Sequence, residues 1–126
     1  MGALVARCFD SNVLIDWLNG VEAAGRELRS ADVRIVSIMT WIEVLAGARS
    51  DAEARGARKL FREDFRVVPV DSAIAERVLM LRRDRRLKLI DATIHATALE
   101  AGVQLSTRNT KDFSEADPTI RVPYRL

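Results

Sequence analysis

Cysteine is nearly absent from this 126-residue chain: Cys8 stands alone, which excludes an intrachain disulfide and a thiolate zinc cage. Histidine is as scarce, His95 being the only one, so the imidazole and thiolate set that zinc prefers is missing. The three prolines and six glycines gather into no linker or low-complexity tract. No apolar run approaches the roughly 20 residues that span a bilayer, so no membrane association is expected. The stretch before Asp10 is too short for a secretory signal, and the expected location is cytoplasmic. An excess of one charge is missing too. Twenty Lys and Arg against eighteen Asp and Glu leave a formal net charge of +2, and no global field announces a nucleic-acid partner.

What is present is a globular balance, with 48% hydrophobic and 30% charged residues, expected to form one domain over residues 1–126. Cys8 lies in an apolar run and reads as an inert buried thiol. Arg82, Arg83, Arg85, Arg86 and Lys88 cluster within seven residues. Two readings stay open for them: a solvated helix end whose cations suit the C-terminal dipole, or a phosphate-binding patch. Arg85 and Arg86, together with Arg108, are the candidate phosphate contacts.

Apolar periodicity alternates along the chain. Leu4–Phe9 reads as a buried strand, after which Ser11 or Asn12 is expected to cap a helix with an apolar stripe of Val13, Leu14, Trp17 and Leu18. A second helix is expected over Val21–Ser30, and a second strand over Val33–Val36. Ser37 then caps a helix through Ala46 that is apolar nearly all round and is therefore predicted to be buried on more than one face. Ala52–Phe65 reads as a polar amphipathic helix, and Val67–Val70 as a short strand whose proline places it at a sheet edge. Asp71 or Ser72 caps the helix carrying Ile74, Val78 and Leu81. Ile90–Ala101 is a further apolar helix closed by Gly102, followed by strands at Val103–Ser106 and Ile120–Val122. Such alternation implies an α/β layer fold with a mostly parallel sheet of four to five strands.

Four carboxylates stand where burial rules disfavour them. Asp10 closes the first apolar run, and Glu43 is the only charge between Ser37 and Ala48. Asp91 is the only formal charge between Leu89 and Leu99, and Asp112 ends the polar stretch from Ser106. Acidic side chains are seldom buried unless paired or bound to a metal. Ligands of parallel sheets bind beyond the carboxyl ends of the strands, and the connections holding these acids all lead to that rim. Converging carboxylates repel, and a hard cation with oxygen ligands, Mg²⁺ or Mn²⁺, would hold them together. Such a pair of ion and acids is the usual apparatus for hydrolysing phosphodiesters.

Each acid also has a plain structural role available. Asp10 and Asp91 can satisfy helix N-terminal amides, and Asp112 can pair with Arg108 or Lys111. Glu43 has no capping role six residues into its helix. Ser11, Thr107 and Asn109 are candidate supporting groups that can hold a water, a carboxylate or the phosphate, although local turn bonding also suits Thr107 and Asn109. His95, one turn after Asp91, reads as a satisfied core histidine and not as a base. A receiver-like phosphoacceptor domain has similar length and alternation, with Asp71 as the acceptor, but it leaves Glu43 without purpose.

Phe9-Asp10-Ser11-Asn12-Val13-Leu14-Ile15, Glu43-Val44-Leu45-Ala46-Gly47, Asp91-Ala92-Thr93-Ile94-His95-Ala96-Thr97-Ala98 and Leu105-Ser106-Thr107-Arg108-Asn109-Thr110-Lys111-Asp112-Phe113 resemble, in order, the four motifs of PIN-domain ribonucleases. The resemblance covers essentially the whole chain, and its compact length is similar to that of VapC toxins of type II toxin–antitoxin modules. It implies a three-layer α/β/α fold and a Mg²⁺- or Mn²⁺-dependent endoribonuclease that forms a homodimer and is silenced by a VapB antitoxin, in a heteromeric assembly. Carried over by position, the metal and catalytic acids are Asp10, Glu43, Asp91 and Asp112, with Thr107 and Asn109 in the polar part of the fourth motif. The antitoxin helix would lie in an apolar groove for which Trp17, Leu18, Trp41 and Leu45 are candidate lining. Ser11 stands where threonine is frequent, Ile90 where proline is, and His95 where a small apolar residue is. A catalytically idle RNA-binding module of the same fold is the alternative.

Overall fold

The structure, a computed structural model, describes residues 2–126. Eleven elements follow one another: β1 (Ala6–Phe9), α1 (Ser11–Leu18), α2 (Glu22–Arg29), β2 (Val33–Ser37), α3 (Ile38–Ala46), α4 (Asp51–Asp64), β3 (Arg66–Val68), α5 (Ser72–Arg85), α6 (Leu89–Ala101), β4 (Gln104–Ser106) and β5 (Ile120–Arg121). The five strands form one sheet in the order β3-β2-β1-β4-β5, and every pairing is parallel.

Register explains why the strands are apolar on both faces. Cys8 sits opposite Ile35 on one side and Leu105 on the other, and these three share a cluster with Ile94, Ala98 and Ile120 beneath α6. Phe9 and Val36 project the opposite way, into a cluster with Val13 and Leu14 of α1, Leu28 of α2 and Phe61 of α4. Helices therefore cover both faces, giving three layers. Both faces of a parallel sheet must be covered in this way, which is why such strands read as continuous apolar runs. Ile74, Val78 and Leu81 of α5 face inward as their spacing requires, packing on Ala92 and Ala96 of α6.

Helix ends follow capping chemistry, with one correction to the sequence reading. The N-cap of α1 is Asp10 itself, whose carboxylate accepts from the Ser11 amide at 2.7 Å, and neither Ser11 nor Asn12 takes that place. The strand simply ends one residue before the helix begins. Ser37 caps α3 and Asp71 caps α5, accepting from the amides of Met39 and Ile74. That duty explains Asp71 without phosphoacceptor chemistry. Gly102 closes α6 at φ +69°, a left-handed conformation that glycine adopts freely. Arg86 closes α5 in the same region at φ +53° without that freedom.

Helix α3 is packed on more than one face, as its apolar sequence predicts, but a strip of it stays open. Only Thr40 and Val44 are buried, Trp41 and Leu45 are half-buried, and Ile42 is 47% exposed. Trp41, Val44 and Leu45 pack on the cluster around Phe9 while Met39 packs on the one around Cys8, so α3 is covered on two sides and open along Ile42, Glu43 and Ala46. Strand β3 lies at the sheet edge, with Pro69 one residue beyond it. No helix among the described residues is long and apolar enough to cross a membrane.

Candidate active site

The order β3-β2-β1-β4-β5 places the reversal of winding between β1 and β4, and in open parallel sheets a ligand crevice forms at that point. Asp10 follows β1 and Thr107 follows β4, so both stand at the mouth of that crevice. The Asp10 amide continues the ladder to the Ser106 carbonyl at 2.9 Å, which fixes the register of the two residues.

Hydrogen bonds then hold the acids in place. Thr107 Oγ1 donates to Asp10 Oδ2 at 2.8 Å, and Asn12 Nδ2 lies 3.2 Å from both atoms. Asn12 Oδ1 accepts from the Arg108 amide at 3.0 Å, so one asparagine ties α1 to the segment after β4. Ser11 Oγ donates to Glu43 Oε1 at 2.5 Å and lies 3.2 Å from the Thr40 hydroxyl, which brings α3 to the same mouth. Asn109 makes no hydrogen bond with Asp10, but its amide N–H donates to Thr107 Oγ1 and its side chain donates to Asp112 Oδ2, both at 3.0 Å. Asp91 enters in the first turn of α6.

Electrostatics show that the four acids feel one another. Burial pushes Asp10 up to about 6, the hydrogen bonds from Thr107 and Ser11 oppose the rise, and the charges of Asp91 and Glu43 add to it. Asp91 is raised as well, first by burial, then by the charge and hydrogen bonding of Asp112 and the charge of Glu43, with Lys88 opposing. Asp91 is thus the link among the four acids singled out in the sequence, in electrostatic reach of Asp10, Glu43 and Asp112. Glu43 is exposed on its helix and reaches the site with its longer side chain.

The donor set fits a hard divalent cation in chemistry: oxygen only, negatively charged, with its repulsion offset only in part, by Lys88 at Asp91. Asp10 Oδ1 accepts a single hydrogen bond and keeps a free lone pair. Among the described residues, however, no group of three or more His, Cys, Asp or Glu side chains forms a ready-made metal cage. The acids are neighbours and not yet ligands of a common point.

Other candidates fall differently. Arg108 does not stand free at the rim, because its fork binds Asp16 through Nε at 2.7 Å and Nη2 at 2.8 Å. Arg85 donates to Asp117 at 2.6 Å, and Arg86 is exposed at the end of α5. Trp17 and Leu18 line a cavity of about 360 Å³ with Val44, Ala57 and Leu60, whereas Trp41 and Leu45 pack on the adjoining core instead. Gly25 allows the Trp17 ring its close approach to α2, since a Cβ there would meet the indole at 3.2 Å. His95 is buried away from the acids. Its Nε2 lies 3.0 Å from Thr119 Oγ1, and that hydroxyl donates onward to Asp117, so Nε2 carries the proton and Nδ1 is left without a partner. Burial lowers its pKa, and its ring packs edge-on to Phe113 at 5.5 Å.

Two buried acids escaped the sequence reading. Burial alone would raise Asp16, but hydrogen bonds from Arg108 and Tyr124 and the Arg108 charge bring it below the usual range. Glu27 is likewise lowered against its burial by hydrogen bonds from Arg121 and Ser106, with the Arg121 and Arg7 charges adding. Each sits beside apolar neighbours of its helix, which was a usable signal. The partners lie 92 and 94 residues away, which was not.

A family model for the PIN domain matches residues 7–117. A chain in a toxin–antitoxin complex from Klebsiella pneumoniae is 36% identical and superposes with a TM-score of 0.89, covering 95% of this chain and 99% of that one. FitAcB from Neisseria gonorrhoeae is similar at 22% identity and a TM-score of 0.76, over 95% and 99% of the two chains. VapBC2 from Rickettsia felis, solved with a DNA fragment from its promoter, is similar at 13% identity and a TM-score of 0.76, over 96% and 98%. At the latter two identities the likeness concerns the fold alone. No curated protein matches the chain. The family model spans all four acidic motifs, the first similar structure shares more than a third of the sequence, and the chain belongs to the PIN domain family.

Proposed function

We propose that the protein is a VapC-like toxin, a Mg²⁺- or Mn²⁺-dependent endoribonuclease neutralised by a VapB-like antitoxin. The observation that carries this reading is the convergence of Asp10, Glu43, Asp91 and Asp112 while the neighbouring arginines are committed elsewhere. Arg108, Arg121 and Arg85 pair with Asp16, Glu27 and Asp117, and Lys88 offsets the charge at Asp91 only in part, so Asp10 and Asp91 both stay raised. A fold selected for stability alone would have paired or replaced them.

Asp10 and Asp91 would hold the cation, and Glu43 and Asp112 would add carboxylate oxygens nearby. When bound, the cation polarises the phosphoryl oxygen and lowers the pKa of a water molecule. Thr107 and Asn12 fix the Asp10 carboxylate, Ser11 fixes Glu43, and Asn109 fixes Asp112, which orients the attacking water. In the hydrolysis the water oxygen bonds to phosphorus as the bond from phosphorus to the ribose oxygen breaks, the water giving up a proton to solvent and the leaving oxygen taking one up.

The complex from Klebsiella pneumoniae, at 36% identity, supports an antitoxin as partner. The cavity over Trp17 and Leu18 offers an apolar seat for its helix, and Glu53 at the margin suits a basic side chain. Leu79, Met80, Leu89 and Ile90 are exposed on α5 and the start of α6 and support a homodimer through that face.

The test is cleavage of structured and unstructured RNA by the purified chain with Mn²⁺ or with EDTA. Chelation should abolish cutting, and Asp10→Asn or Asp91→Asn should reduce it by about a hundredfold or more. Cutting that survives both would remove the proposed mechanism. The lack of a ready-made cage is the one observation favouring a catalytically idle RNA-binding module, and wild-type protein that binds RNA without cutting it would establish that reading.

A further inference from the structure

We infer that the cavity beside Asp112 receives one unstacked base of the RNA strand, next to the bond that is cut. This inference rests on the nuclease reading and extends it to the substrate's neighbouring nucleotide. The cavity measures about 420 Å³ and is walled by Arg85, Leu87, Phe113, Ser114, Asp117 and Pro118, with Asp112 at its border. That volume lies within the range of small-molecule sites, about 300–1,000 Å³. Asp112 belongs both to this cavity and to the acidic cluster, so a base seated here is continuous with a phosphate among the acids.

The lining has the character of a base site. Leu87, Phe113 and Pro118 are apolar, while Ser114, Asp117 and Arg85 are polar, matching a ring with apolar faces and a hydrogen-bonding edge. Arg85 is the decisive residue. Its guanidinium donates to Asp117 at 2.6 Å, and Asp117 is itself fixed by the amide and hydroxyl of Thr119 at 2.9 and 2.7 Å. The Arg85 side chain remains 53% exposed. Its charge is therefore balanced by Asp117 while the side chain stays accessible, which suits stacking on a base better than capture of a free phosphate.

The walls are also rigid. His95 packs edge-on against Phe113 and is anchored by Thr119, so the buried histidine supports the floor of the cavity. Arg82 Nη1 donates to the Leu87 carbonyl at 3.2 Å, fixing the turn between α5 and α6 that forms another wall. Preorganised walls spare a ligand the entropy of ordering them.

The experiment titrates the full chain with adenosine, guanosine, cytidine and uridine 5′-monophosphates and follows backbone amides by NMR. Wild type, Ser114→Trp and Arg85→Lys are compared, the first variant filling the cavity and the second keeping charge but losing the planar fork. Amides of Leu87, Ser114 and Asp117 should shift with at least one nucleotide in wild type and in neither variant. With RNA, Ser114→Trp should raise KM about tenfold or move the cut sites, with Mn²⁺ binding unchanged as a check on folding. Unshifted amides at millimolar nucleotide, or identical KM and cut sites in Ser114→Trp, would overturn the inference. The two readings fail separately, because nucleotide shifts decide the cavity even where wild type cuts no RNA.

Discussion

Asp10 serves two ends with one carboxylate: it caps α1 through Oδ1 and is held by Thr107 and Asn12 through Oδ2. A capping aspartate at a helix N-terminus is ordinarily a strong acid, favoured by the amides it accepts. Here burial wins over those hydrogen bonds, the charges of Asp91 and Glu43 add to it, and the group sits at about 6. The sign matters for function. Above about 6 the carboxylate is ionised and open to a cation, and below it a proton competes for the same oxygens. Mn²⁺ affinity, read by titration from about pH 7.5 downward, should therefore fall roughly tenfold per pH unit once the pH drops below about 6. A flat affinity across that range would mean that Asp10 is not a ligand. His95 shows the opposite case at this scale, a titratable group with a notable position and a packing role.

Among the elements, the C-terminal segment after β5 and the turn after β4 meet at one acid. Tyr124 Oη donates to Asp16 Oδ2 at 2.8 Å, and Asp16 holds the Arg108 fork, whose backbone amide in turn binds Asn12. The last residues of the chain thereby brace the loop that presents Thr107 and Asn109. Tyr124→Phe removes one hydrogen bond to a charged group and should cost about 1–2 kcal/mol of stability in urea titrations, with a drop in RNA cleavage. An unchanged unfolding midpoint would show that the brace carries no load. This relation also marks the limit of what sequence discloses. Strands, helices, the caps Ser37 and Asp71 and the rim of four acids were legible because periodicity, capping and strand-end position are local properties. Asp16 and Glu27 were not, since their arginines are brought to them only by the folded sheet. Helix α3 was legible in part: its apolar residues predict cover on more than one face, but which strip stays open depends on neighbours that composition does not name. Arg108 was legible as a cation and not as a committed one.

For the molecule as a whole, the acidic mouth works against the rest of the fold. Asp91 is raised by its burial and by the other acids, so at neutral pH its ionisation disfavours the folded state. Asp117 runs the other way. Burial would raise it, but hydrogen bonds from Thr119 and Arg85 hold it at about 2, so its contribution is present above the ordinary carboxylate range and is lost as pH falls toward 2. Asp91→Asn should therefore raise the Tm of the metal-free protein by a few degrees near neutral pH, while Mn²⁺, expected to raise the Tm of the wild type, should leave that of the variant unchanged. A lower Tm for that variant without metal would show that Asp91 is a structural acid. The sheet carries a different consequence at this scale. Its edges are β3, three residues long and followed by Pro69, and β5, two residues long and followed closely by Pro123. So little unpaired backbone gives an incoming chain no template for adding a sixth strand. Edge-to-edge pairing between copies is thereby disfavoured, and the larger apolar surface left open lies on side chains such as Leu79 and Met80 and not on backbone.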